Sequence, residues 1–319
     1  MTLRDAVWSL ARLLHAADFG AFLPLIARLP LAVGYRLSWL RGKVNGRFGR
    51  DWRSLALGWR HVYRQSAVGF RRLYPDLDDA ALGGLVRKRF ETESREEFEG
   101  QLIAAGRVAE LHCDSAPEEF LNACRRRERG LVLLTPHFDS FTLGIVFLGQ
   151  MGIKVNAISS EVTADPRVAA AVRKHFHDKY RGMERWMNGG RILDQEAGLR
   201  PFYQMLKHRE CLVVLADTPA TEGAARIQPT FMGRPRALAG GALRMATHTG
   251  SDLGAFTCRY LGPAHYRLEG GPIGLAAEHA SAESAYGFLS TAIDADPGRW
   301  WAADLLPAMA LVDTEMQDV

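Results

Sequence analysis

Three short runs constrain this chain most. They are Gly130 to Thr135 (GLVLLT), Lys154 to Ser160 (KVNAISS) and Cys211 to Ala216 (CLVVLA), each nearly all apolar or β-branched over its central residues. A strand covered on both faces reads as such a continuous run rather than as an alternating one. Between and after them the apolar residues recur at helical spacing, over 141–151, 166–180, 199–208 and 238–250. Two further strand-like runs follow, DLGAFTCRYL from Asp252 and HYRLEGG from His265. Strands that alternate with helices predict an α/β fold around a mostly parallel central sheet flanked by helices. Upstream, 51–73 and 78–107 read as helices, with a turn at Tyr74-Pro75-Asp76. No stretch from 51 to 319 has a linker's composition, so that span is expected to form a single α/β domain.

The first 50 residues have a different character. Leu3, Val7, Leu10 and Leu14 share one helical face, and the strongly apolar stretch 19–40 is interrupted by Pro24, Arg28, Pro30 and Arg36. A spanning helix needs about 20 mostly apolar residues with few charges, and a central Arg costs about 2.5–3.5 kcal/mol even on the lenient insertion scale. The segment therefore predicts an N-terminal amphipathic helical membrane-contact region (1–50), not a transmembrane anchor, with no cleavable signal peptide. The alternative is a helix buried on the protein's own core. Arg28, Arg36, Arg41, Lys43, Arg47, Arg50 and Arg53 face one nearby acid, Asp51. That local excess suits an anionic membrane surface or an acidic protein partner. No nucleic-acid motif accompanies it, and nucleic acid is not expected as a partner.

Composition excludes other classes. Of 319 residues, 47% are hydrophobic and 24% charged, the balance of a folded globular protein. Cys113, Cys124, Cys211 and Cys258 form no CxxC pair and read as reduced thiols. There is no GxSxG elbow, no P-loop and no GxGxxG. His175 and His177 are close together but have no third ligand at metal spacing, so no metal is expected there.

In a parallel sheet, functional groups gather past the C-terminal ends of strands. Two such ends carry polar residues, Thr135-Pro136-His137-Phe138-Asp139-Ser140 and Ala216-Asp217-Thr218-Pro219. A His leaving a buried strand toward a helix start is well placed to act as a general base. Ser140 reads as a helix cap rather than a nucleophile.

HFDSFTLG, residues 137–144, resembles the signature of the lysophospholipid acyltransferase superfamily, closest to the bacterial lipid A late acyltransferase (lauroyl and myristoyl transferase) branch, whose pattern is His-Phe-x3-Glu-Leu-Gly. The block DTPATEGAARIQPTFMGRPRAL (217–238) is similar to that family's second block, LIARLPLAVGYRL to its membrane-facing start, and DPGRWW (296–301) to its closing Pro-x-x-Trp segment. The resemblance implies an O-acyltransferase that moves a fatty acyl group from an acyl carrier protein or CoA thioester to a hydroxyl of a lipid or glycolipid. The thioester is a co-substrate, so no bound cofactor is expected. The protein would sit on the cytoplasmic face of the bacterial inner membrane, peripheral or monotopic. His137 would be the base. Arg181, Arg185, Asp217, Phe231 and Arg234 would contact substrate, with Arg226 and Arg236 flanking the same turn. Backbone N–H groups at the helix start, or an Arg, would hold the oxyanion.

The chain departs from that pattern where its acid belongs: five residues after His137 stands Thr142, which carries no charge to stabilise an imidazolium. Three readings stay open. Asp139, two residues after the His, takes the acid's place as a catalytic residue. A distant carboxylate, Asp217 or Glu161, reaches in. Or activity is lost and the chain is a catalytically silent binder of lipid or acyl carrier protein within an assembly. A thioesterase is a further possibility, since the same base would activate water. The apolar segment around 143–152 reads either as core or as the lining of an acyl tunnel.

Overall fold

The computed structural model describes residues 11–159, 165–194 and 198–312. Glu161 therefore lies outside the described residues. The chain is helical from residue 11 to Ile26, with a π-type turn at Asp18–Phe22. After a break before Pro30 come helices α1 (Leu31–Phe48), α2 (His61–Leu73) and α3 (Asp79–Ala104). The alternating part then runs β1 (His112–Asp114), α4 (Glu118–Arg125), β2 (Leu131–Thr135), α5 (Phe141–Gln150), β3 (Val155–Ser159), α6 (Ala170–Glu184), β4 (Ile192–Asp194), α7 (Arg200–Lys207) and β5 (Cys211–Leu215). Two small antiparallel strand pairs follow between Arg226 and Ala239, and then α8 (Gly241–His248), β6 (Asp252–Gly262), β7 (His265–Gly270), β8 (Gly274–Leu275) and α9 (His279–Ala295).

The sheet order is β1-β7-β6-β2-β5-β3-β4, with β8 alongside β6. Every pairing is parallel except those of β6 with β7 and with β8. The expected mostly parallel α/β sheet is thus present. Successive residues of β2 face opposite layers. Leu131 and Leu133 join the core beneath α5, while Val132 and Leu134 join the core with α7, α8 and α9. This two-sided burial is the reason for the continuous apolar runs. The sequence did not reveal β1 and β4, edge strands of three residues each, too short to carry a period. The helix expected over 51–73 is broken instead, because Gly58 and Arg60 adopt positive φ (96° and 62°) between Ser54–Leu57 and α2.

Helix α3 packs against much of the protein, and several of its charged residues are inside. Arg89, Glu93, Glu96, Glu97 and Glu99 are all buried. Arg89 pairs with Glu93 at 2.6 Å and with Asp51 at 3.2 Å, and Arg41 of α1 bridges Asp18 and Glu97. Buried charges persist only when paired in this way. Helix α1 lies on α3 through its small and polar residues, Gly34, Ser38, Gly42 and Gly46, with Ser38 and Ser94 each donating to the other's carbonyl. A Cβ at Gly42 would sit 2.6 Å from the Glu91 Cα, so only glycine permits this approach. The outward face of α1 is then apolar and basic at once: Val33, Arg36, Trp39, Leu40, Lys43, Val44, Arg47 and Phe48 are exposed.

Candidate active site

Strands β2 and β5 are parallel neighbours, and their last registered pair is Thr135 with Leu215. His137 and Asp217 each stand two residues beyond that pair, so the register brings the two strand-end loops side by side. The His137 Nδ1 lies 2.8 Å from Asp217 Oδ1. Asp217 Oδ2 accepts from the His137 backbone N–H at 2.8 Å and from Trp300 Nε1 at 2.8 Å. Asp217 is fully buried. Burial alone would raise its carboxyl, but the charge of His137 and the hydrogen bonds from His137 and Trp300 hold it below the ordinary value. A carboxylate only accepts, so Nδ1 carries the ring proton and Nε2 is left as the basic nitrogen. The ring is held edge-to-face by Trp301 at 4.6 Å and Phe141 at 5.4 Å between centroids.

His137 borders a cavity of about 210 Å³ between α5, α6 and the sheet. Its walls are mostly apolar, with Ile145, Ile158, Phe176, Met183, Val213 and Leu215 among them. Trp52, Arg53, Trp301 and Leu305 also line it. Thr142 and Lys179 add polar groups, joined through buried Glu96, which accepts from Thr142 Oγ1 and, at 3.0 Å, from Lys179 Nζ. A concave apolar pocket with a few convergent polar groups is the usual form of a small-ligand site.

The other residues expected at the site fall elsewhere. Asp139 does not partner His137. It is fully buried at φ 53°, and its carboxylate is taken by Arg95, by Arg299 at 2.6 Å and by the Tyr260 N–H at 3.0 Å. It ties α3, β6 and the turn before Trp300 together, and the left-handed backbone turns it off the line of the ring. Asp217 lies beneath the histidine with no exposed surface, which is the reading in which a distant carboxylate reaches in and not the one that set it against substrate. Phe231 is also fully buried, edge-on to Trp300 and Tyr286, and supports the indole rather than lining the cavity. Arg181 and Arg185 are exposed at the end of α6, whose Lys179, Tyr180 and Met183 line the cavity instead. Arg234 is exposed in a short hairpin outside it. The N–H groups of residues 137–140 donate to Asp217, Pro136, Arg299 and Cys258 respectively, so these four loop amides are already taken. The reading of the sequence missed Trp300, Trp301, Lys179 and Arg53 as site residues. The first two had a signal in the closing Trp-Trp pair; the last two had none.

A family model described as bacterial lipid A biosynthesis acyltransferase matches residues 101–300, which is more than half of the chain. That span contains His137, Asp217 and Trp300. No curated protein matches the chain. Among solved structures, the 1-acyl-sn-glycerophosphate (LPA) acyltransferase PlsC from Thermotoga maritima is similar at 11% identity, over 88% of this chain and 98% of that one, with a TM-score of 0.36. The matched span, more than half of the chain, places it in the bacterial lipid A biosynthesis acyltransferase family.

Proposed function

We propose that this protein transfers a fatty acyl group from a carrier or CoA thioester to a hydroxyl of a lipid or glycolipid, with His137 as general base and Asp217 as the carboxylate that orients it. The observation that carries this reading is the 2.8 Å contact of Asp217 with Nδ1 of a histidine bordering an apolar cavity. Nε2 takes the acceptor's hydroxyl proton as its oxygen attacks the thioester carbonyl. The tetrahedral intermediate then expels the thiolate, which recovers the proton from Nε2. Asp217 holds the imidazole in the competent tautomer and stabilises the transient imidazolium. The acyl chain occupies the cavity. Lys179 and Arg53 also stand on its wall, each paired with buried carboxylates, Glu96 for Lys179 and Asp51 and Asp304 for Arg53.

The outward face of α1 supports a peripheral seat on an anionic membrane, at its cytoplasmic side. Trp39, Leu40, Val44 and Phe48 would enter the interface while Arg36, Lys43 and Arg47 meet phosphates. No helix among the described residues is long and apolar enough to cross a membrane.

The test is acyl transfer from acyl carrier protein and acyl-CoA donors, comparing the unaltered chain with His137→Ala. Loss of transfer with an unchanged thermal melt is expected. Undiminished turnover removes the base assignment, thioester hydrolysis without acylated product makes the protein a thioesterase, and inactivity of the unaltered chain with every donor leaves a silent binder.

A further inference from the structure

At the sheet edge, separated from β2 by β6, β1 and β7 pair in parallel with His112 opposite His265 and Asp114 opposite Arg267. Residues two apart on a strand share a face, so both imidazoles and the Asp114 carboxylate stand on the same side. Asp114 Oδ1 lies 2.9 Å from His265 Nε2 and 3.3 Å from His112 Nε2. One donor atom from each residue falls within 4.8 Å of the other two. We propose that His112, Asp114 and His265 form a surface site for a divalent transition metal such as zinc, clamping the edge strand β1 to β7.

The donor chemistry fits. Two neutral imidazoles and one carboxylate suit Zn²⁺ among the biological cations, whereas Mg²⁺ and Ca²⁺ prefer oxygens alone. Tetrahedral zinc with bonds of about 2.0–2.2 Å separates its donor atoms by about 3.3 Å, close to the His112–Asp114 spacing. The second carboxylate oxygen is held by Arg267 Nη2 at 3.3 Å, which aims Oδ1 at the imidazoles. The exposure of His112 leaves a coordination position open to water. Metal replaces the proton that otherwise joins His265 to Asp114, so binding releases protons and weakens as acid charges the imidazoles. Strand β1 has three residues, a short lever for backbone pairing alone, and a bound ion would add a cross-link between chain segments far apart in sequence.

Calorimetric titration of the metal-stripped full chain with Zn²⁺ tests this directly, without reference to acyl transfer. One equivalent is expected to bind, with affinity falling at least about tenfold in His112→Ala or His265→Ala, and on acidification. His177→Ala, which removes an exposed histidine elsewhere, should leave binding unchanged. Zn²⁺ should raise the melting temperature of the unaltered chain but not of the His112→Ala/His265→Ala double variant, and Cu²⁺ at the site should show two imidazole nitrogens by pulsed electron paramagnetic resonance. Absence of binding, or binding retained by the double variant, overturns the proposal.

Discussion

At the residue scale, the two acids near His137 have separate jobs, and substitution should separate them. In Asp217→Asn, one of the two carboxylate oxygens becomes an NH₂ group, yet both oxygens receive donors. Whichever way the amide turns, a donor faces a donor, and the arrangement in which NH₂ meets Nδ1 forces the proton onto Nε2. The acyl-transfer rate should fall about 10²–10⁴-fold, as expected when the orienting acid of a histidine is neutralised, with the protein still folded by circular dichroism. Asp139→Asn should do something else. Asparagine tolerates the left-handed backbone at this position, so the change isolates the charge. Arg95 and Arg299 lose their shared partner, and the expected cost is about 3–5 kcal/mol of stability in denaturant unfolding. A rate loss in Asp139→Asn with no loss of stability would return it to the catalytic role that the sequence suggested. That suggestion failed for a local reason. Sequence proximity placed Asp139 beside His137, but one residue at positive φ turned its carboxylate toward α3 and β6. Asp217, eighty positions away, became the partner because β2 and β5 are neighbours in register.

At the scale of elements, α3 decides more than its reading as a helix suggested. Burial pushes the Glu99 carboxyl up to about 8, against the pull of Arg95 and the hydrogen bonds from Ser140 and Tyr266, and burial pushes Glu97 up to about 7 against the pull of Arg41. Both groups hold a proton more tightly folded than unfolded, where the ordinary value is 4.5. Their contribution to stability is therefore complete below about pH 4.5 and lost as pH rises through 7 and 8. Glu99→Gln should flatten the fall in melting temperature between pH 5 and 8 (a window of about three units) that the unaltered protein is expected to show. An unaltered slope in the variant would assign the dependence to other groups. The packing of α1 on α3 makes a second prediction. Gly42→Val places a side chain against the Glu91 backbone, and overpacking of about 1–3 kcal/mol should appear in the unfolding midpoint. The opposite face tests the membrane. Leu40→Glu and Val44→Glu alter exposed positions, so stability should hold while flotation with anionic vesicles declines. Equal flotation by the variants would remove α1 from the contact surface. The sequence marked this segment as apolar and basic, but not which way it faces. That depended on the glycine and serine positions that let α1 lie close to α3, and their meaning shows only once α3 is beside them.

At the scale of the whole molecule, the site is assembled from the chain's middle and its far end. Trp300 is fully buried, donates its indole N–H to Asp217 and rests on Phe231, while Trp301 covers the His137 ring. Trp300→Ala should cost about 3–5 kcal/mol through the cavity it leaves and lower the acyl-transfer rate of the molecules that remain folded, since Asp217 loses a donor; stability loss without any rate loss would restrict the indole to packing. The sequence by itself determined the class of fold, because a strand buried on both faces must be apolar throughout, and β2, β3 and β5 announce that requirement in their own residues. It also determined that His137 and Asp217 stand at strand ends, since each follows such a run directly. Which strands are neighbours belongs to the tertiary structure alone. The order β6-β2-β5-β3 is set by how helices cross over and which faces they cover, and no run of residues encodes its neighbour's identity. The pairing of His137 with Asp217, the burial of Asp139 and the closing of the cavity by Trp301 all follow from that order, because contacts between distant segments form only where the folded core brings them within hydrogen-bond reach.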